Sequence, residues 1–179
     1  MPFTPFHLGA ALIVKPAAQR NFSVLSFGLA QLAMDIEPMV GMIRNSDVLH
    51  GPSHTVIGAL FIAFIVAWMA PSICNLILRR YNLEVRFLGL EWLQEPDSVT
   101  RTAVMTGAFF GTLSHIILDS LMHFDIHPLA PFSDANPLLN RVSVDGLYQL
   151  CTVAVLVGVA AWLALKWMGR AVPELHRGE

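Results

Sequence analysis

Residues 102–123 read Thr-Ala-Val-Met-Thr-Gly-Ala-Phe-Phe-Gly-Thr-Leu-Ser-His-Ile-Ile-Leu-Asp-Ser-Leu-Met-His. This is the length of a transmembrane helix, which needs about 20 apolar residues, yet one stripe of it is not greasy. Every fourth residue along that stripe is Gly107, Gly111, His115, Asp119 and His123, and positions four apart share a helix face. Small residues let another backbone approach closely, and the ligand-type residues follow on the same face. Ionisable groups inside a bilayer are costly, so they mark a functional site whose partners lie elsewhere in the chain. His7, Asp35, Glu37, His50 and His54 are the other imidazoles and carboxylates set in apolar context. Together they read as a metal site buried in a helical membrane bundle.

Composition supports the membrane reading. The 179 residues are 55% hydrophobic and only 13% charged, against about 25% charged in a soluble domain. A net charge of −2 gives no sign of nucleic-acid binding. Cys74 and Cys151 sit in apolar segments without partner spacing, as small core residues do. Four segments have spanning length: Phe22–Ile43, His54–Leu78, Thr102–His123 and Leu147–Met168. A fifth apolar stretch, Phe6–Ala18, is too short to span and lacks the basic start and cleavage site of a signal peptide. The expected fold is therefore all-α: an integral membrane bundle of four transmembrane helices plus a short N-terminal helix. Residues 1–172 form one membrane-embedded domain, and residues 173–179, including His176, a polar tail.

The chain has 11 Lys and Arg residues, and only Arg44 and Arg141 fall in the connections at one side of these spans. The excess of basic residues marks the cytoplasmic side. The Lys15/Arg20 turn, the 79–101 loop and the C-terminus are therefore expected inside. Loops 44–53 and 124–146 are expected outside, in the periplasm if the host is Gram-negative. Within the 79–101 loop, Leu83–Leu93 with Trp92 reads as an interfacial stretch.

Helix rise, about 1.5 Å per residue, sets the depths. Asp35 and His115 each lie eight residues before the outer end of their span, roughly 12 Å deep. A turn near Gln19–Asn21 would bring His7 to the level of Asp35. Pro38 follows Glu37, and a kink there would turn Asp35 and Glu37 inward together. Pro52 suits a first helical turn, leaving His50 on the entering loop and His54 one turn in.

Imidazole and carboxylate without thiolate suit zinc, manganese or iron. The donors exceed what one tetrahedral ion needs, and two ions bridged by Asp35 or Asp119 would use them. Such a site can generate hydroxide at neutral pH and clamp phosphoryl oxygens. Arg44 is the lone outer-side cation near the first span. Each residue also has a plainer reading. His7 could hydrogen-bond a neighbouring carbonyl, and His50 could be an ordinary loop residue. His123-Phe-Asp125-Ile-His127 could be an interfacial loop, and Gly107-x-x-x-Gly111 helix packing alone.

Four motifs carry a resemblance: Phe6-His7-Leu8-Gly9, Met34-Asp35-Ile36-Glu37-Pro38, Gly51-Pro52-Ser53-His54-Thr55 and Gly111-Thr-Leu-Ser-His115-Ile-Ile-Leu-Asp119. In this order and spacing, over roughly residues 5–132, they resemble the YdjM-like family of inner-membrane proteins described as metal-dependent hydrolases. The family pattern has an N-terminal His, Pro-Asp-x-Asp, His-Arg-Gly-x-Thr-His-Ser and Ser-His-x-x-x-Asp before a Pro-rich loop. The resemblance implies His7, Asp35, His54, His115 and Asp119 as the metal set, with Glu37 in place of the second Asp. Met34 replaces the proline. His50 stands one residue closer to His54 than in the family, and the Arg between them is missing. His123 and Asp125 follow where the family often has Thr-Pro-x-Gly.

The expected function is metal-dependent hydrolysis, with a phosphoester of a lipid or lipid-linked molecule as substrate; turnover is implied only by the resemblance. One or two divalent ions, zinc before manganese or iron, would be held by His7, Asp35, His54, His115 and Asp119, with His50 and His123 as further ligands. Glu37 or Asp125 would act as general base. A divalent-metal carrier or metal-sensing membrane protein is the alternative, but no acidic or His cluster marks an inner gate. A b-type haem bundle fits poorly with crowded carboxylates, and a purely structural role has to explain the cost of the buried charges.

Overall fold

A computed structural model describes the backbone of residues 4–175 and the side chains of residues 6–169. Among the described residues there are five α-helices and no strand: α1 (Thr4–Ala18), α2 (Val24–Ile43), α3 (Val56–Phe87), α4 (Arg101–Ser120) and α5 (Val144–Leu175). The expected turn is a short 3₁₀ segment at Gln19–Asn21, so α1 and α2 form a hairpin. Three helices begin on side-chain caps. Ser23, Thr55 and Thr100 accept hydrogen bonds from the N–H groups of Ser26, Gly58 and Ala103, respectively, each satisfying a donor the helix start leaves open. The expected tail at 173–179 begins as helix, since α5 runs to Leu175; the rest, including His176, lies outside the described residues.

The bundle is organised around α4, which packs against α2 and α3 and touches α1, while α1 lies mainly on α5. Gly107 and Gly111 bring α4 against α2. A methyl group on Gly111 would lie 2.7 Å from the Ala30 Cβ and 3.0 Å from the Phe27 carbonyl oxygen. Below the polar residues the core is small and apolar: Ala30, Val66, Ala70, Cys74, Val104 and Ala108.

The expectation of four spans is corrected here. Two described helices are long and apolar enough to cross a membrane, α3 over its whole length and α5 over Val144–Gly169. Only 22% and 17% of their apolar windows are buried, with Trp68 and Leu76 on α3 and Leu156 on α5 turned outward. A core helix of a soluble protein would bury such residues. Helices α2 and α4 fall short because Gln31, Asp35 and Glu37 in one, and His115, Asp119 and several Ser and Thr in the other, dilute their apolar character. The interior position of α4 explains why it tolerates this: its polar groups face protein.

Three boundaries also differ. Helix α3 runs nine residues past the expected Leu78, taking in the first part of the supposed interfacial stretch. Helix α4 stops at Ser120, so His123 lies beyond it, still tethered by an N–H bond to the Asp119 carbonyl of 2.8 Å. Helix α2 continues through Pro38 to Ile43 without unwinding, and Pro38 is buried. At the far end, Glu95 gathers Lys166 at 2.8 Å and Lys15 at 3.9 Å, joining α5 and α1 to the 88–100 loop. Trp92 packs edge-on against Trp167 there.

Candidate metal centre

Asp119 is the focus of the site. It lies one turn after His115 on the inward face of α4 and is buried. Three imidazoles point their Nε2 atoms at its carboxylate. His7 from α1 lies 3.3 Å from Oδ1, while His115 and His54 lie 3.1 and 3.6 Å from Oδ2. Asp35 from α2 joins from the side, its Oδ1 3.5 Å from His115 Nε2. None of the three Nε2 atoms has a hydrogen-bond partner, nor does Asp119 Oδ1. Buried polar atoms are almost always paired, and an orphan requires an explanation. Donors held about 2.0–2.1 Å from a tetrahedral ion lie about 3.3–3.4 Å from one another, and these separations bracket that spacing.

The other ring nitrogens are already engaged. The Nδ1–H groups of His7 and His115 both donate to Gln31 Oε1, at 3.0 and 2.6 Å. Their Nδ1 atoms also lie 3.3 Å apart, a contact explained by the shared acceptor. The Gln31 amide is fixed in turn by donation to the Gly111 carbonyl at 2.8 Å. His54 Nδ1–H donates to Ser53 Oγ at 2.9 Å, and Ser53 Oγ donates to Glu37 Oε2. His50 Nδ1–H donates to Asp125 Oδ1 at 2.9 Å. Holding Nδ1 as the donor leaves Nε2 as a lone pair, the form in which imidazole binds a metal.

The remaining histidines complete a chain of donors. His50 is buried and stacks near both His54 and His123, with ring centroids 4.7 and 4.5 Å away. Three groups of ligand atoms are close enough to share an ion: His7, His115 and Asp119; His50, His54 and Asp119; and His50, His123 and Asp125. The first two meet at Asp119. His123 Nε2 is buried without a partner, and burial pushes that imidazole's pKa down.

All nine residues singled out from the sequence gather here, though not by the routes expected. Glu37 does not depend on an unwound Pro38. It leans across to the 51–53 loop, accepting from the N–H groups of Gly51 and Ser53 at 3.2 and 2.9 Å. Gly51 lets the carboxylate come close: a Cβ there would lie 2.6 Å from Glu37 Oε1, so the Glu37 side chain would have to shift. His7 meets Gln31, one turn below the expected level of Asp35. Asp125 accepts from the N–H groups of Leu49 and His50 at 3.1 and 3.2 Å. Burial acts to raise its pKa, but these bonds and the one from His50 outweigh it and hold the carboxyl below the usual range. His127 is turned away, exposed and bonded to the Asp134 carbonyl. Gln31 and Ser53 were not anticipated. Gln31 had a signal, an amide in an apolar helix one turn before Asp35; Ser53 had none beyond its place beside His54. Met34, standing where the motif has proline, packs against Ala59 and Ile116 behind the site.

The YdjM inner membrane protein family model matches residues 4–173, which spans every residue of this constellation. The chain belongs to that family. No curated protein and no solved structure matches it. Membership of the YdjM family agrees with the two exposed apolar helices in placing the chain in the inner membrane.

Proposed function

We propose that the chain is a membrane-bound metal-dependent hydrolase acting on a phosphoester of a lipid or lipid-linked substrate. The carrying observation is the convergence of three unpartnered Nε2 atoms on one buried carboxylate. His7, His115 and Asp119, with Asp35 beside them, would hold one zinc ion; Asp119, His54 and His50 would hold a second. An ion bound there supplies Lewis acidity to a phosphoryl oxygen and acidifies water. His50 and His123 line the mouth of the site. Asp125 accepts from His50, and Glu37 accepts from Ser53, which in turn accepts from His54. With those rings bound to an ion, the two carboxylates would orient the ligands, and a general base for the attacking water would have to reach it directly. The outer connections 44–55 and 121–143 cover the site, and the Lys15, Lys166 and 79–101 end lies opposite. On the basic-residue rule, the chain is multi-pass, with the site toward the periplasm and the C-terminus in the cytoplasm.

A metal carrier needs a path through the protein. Inward of the site α2 and α4 are packed through Gly107 and Gly111 with no room for a methyl group, which favours the hydrolase. The test is the metal content of the purified protein by elemental mass spectrometry, beside His115→Ala and Asp35→Ala. One or two equivalents of zinc, lost or reduced in both variants, justify a screen of phosphoester lipids for turnover. No bound metal after reconstitution, with both variants folding normally, would leave a buried hydrogen-bond network and end the proposal.

A further inference from the structure

A groove of about 690 Å³ runs between α2 and α3 and ends on the metal centre. Asp35, His50, Asp119 and His123 form its polar part. The rest is apolar, with Leu29, Ile36 and Met39 on one wall and Ile65, Met69 and Ile73 on the other. These residues recur at helical spacing, so each helix contributes one continuous stripe. The floor is made of small residues, Ala33, Val66 and Ala70. Leu32, Ile36, Met39 and Met69 are each about half exposed or more, which leaves the groove open along its side.

The direction of the groove matters. Asp35 is eight residues from the end of α2, and Leu29 is six residues deeper, about 9 Å at helical rise. On α3, Ile65 to Ile73 run the same way, away from the metal centre toward mid-helix. The polar end therefore lies near the end of the bundle and the apolar slot points toward its middle. A lipid in the leaflet nearest the site has this arrangement, head outward and chain inward. No Lys or Arg lines the groove among the described residues, so an anionic head would find positive charge only at the metal centre. Methionines 39, 42 and 69 give the walls adaptable surface for a flexible chain.

Resting on the hydrolase reading above, we infer that the α2–α3 groove seats the alkyl chain of a membrane phospholipid that enters sideways, placing its phosphate at the metal centre. Ala33, Met69 and their neighbours are then specificity residues that never touch the reacting atoms. The slot selects substrates by their chain.

The test uses zinc-loaded protein in lipid nanodiscs and two non-hydrolysable probes, dodecylphosphonate and methylphosphonate. Wild type should bind the dodecyl probe about tenfold or more tightly than the methyl probe. Ala33→Phe, which fills the groove from its floor, and Met69→Trp, which fills it from the α3 wall, should cut that ratio at least several-fold with zinc content retained. An unchanged ratio in both variants means that the advantage is only partitioning into the bilayer, and it overturns the groove while leaving the centre standing. Zinc-dependent binding of neither probe overturns the phosphoester reading and this proposal with it. A third measurement needs no variant: a dodecylphosphonate carrying a mid-chain diazirine should label α2 and α3 between Leu29 and Met39 and between Ile65 and Ile73. Equal labelling of the exposed face of α5 would overturn the proposal even if Ala33→Phe and Met69→Trp failed to fold.

Discussion

One amide orients two imidazoles. Gln31 Oε1 accepts from both His7 and His115, and Gln31 Nε2 is spent on the Gly111 carbonyl, so the side chain cannot flip without breaking three bonds. Removing such a partner of a metal ligand typically weakens binding about 10–100-fold. Gln31→Leu, close in volume, should therefore keep the fold and raise the zinc dissociation constant by about that factor; competition with a fluorescent chelator measures it. Asp119 makes a different kind of prediction because it belongs to two donor groups, whereas His7 belongs to one. His7→Ala should lose the first ion and keep the second, and Asp119→Ala should lose both. Stoichiometry from elemental analysis checks this, and equal loss in both variants would argue for a single ion. At this scale the sequence was generous with candidate ligands and said little about what aims them, beyond the amide of Gln31 in an apolar helix. His and Asp are costly in an apolar helix and announce themselves, whereas Ser53 is an ordinary residue whose role appears only when Glu37 leans across to it.

Among elements, the pairing of α2 with α4 sets the site, and two glycines set the pairing. Gly111 supplies the carbonyl that holds Gln31, and its bare Cα lets Ala30 and Phe27 approach. Gly111→Val would push the helices apart. Overpacking of a tight contact costs about 1–3 kcal/mol, so the melting temperature in detergent should fall. Zinc affinity should fall with it, because Gln31 and Asp35 ride on α2 while His115 and Asp119 ride on α4. A variant that melts lower yet binds zinc as tightly as wild type would uncouple the contact from the site. The four-residue stripe of α4 foretold both the packing face and, as far as Asp119, the face that meets the other buried imidazoles. It failed at His123 because the helix ends at Ser120, and periodicity cannot say where a helix stops. The break in the helix expected at Pro38 is absent for a related reason. A proline penalises the α region before it but does not forbid it, and here the helix runs on through a buried Pro38.

For the molecule as a whole, charge and polarity are segregated along the bundle axis. Lys15, Lys166 and Glu95 meet at one end, and the buried His and Asp cluster lies toward the other. The hydropathy of single helices could not reveal this, because it averages around each helix and does not see that Gln31 and Asp35 of α2 are turned onto His115 of α4. That arrangement also makes the topology testable. In a background with Cys74 and Cys151 replaced by alanine, a single cysteine at Glu91, beside the Trp92–Trp167 contact, should react with a membrane-impermeant maleimide only in inverted inner-membrane vesicles. A cysteine at the exposed Phe132, in the loop that follows the site, should react only in right-side-out spheroplasts. Reaction of both from the same side would mean that α4 does not cross. The 690 Å³ groove would then open to the interface instead of the bilayer core, and the route by which a lipid reaches Asp119 would have to be sought along the membrane surface.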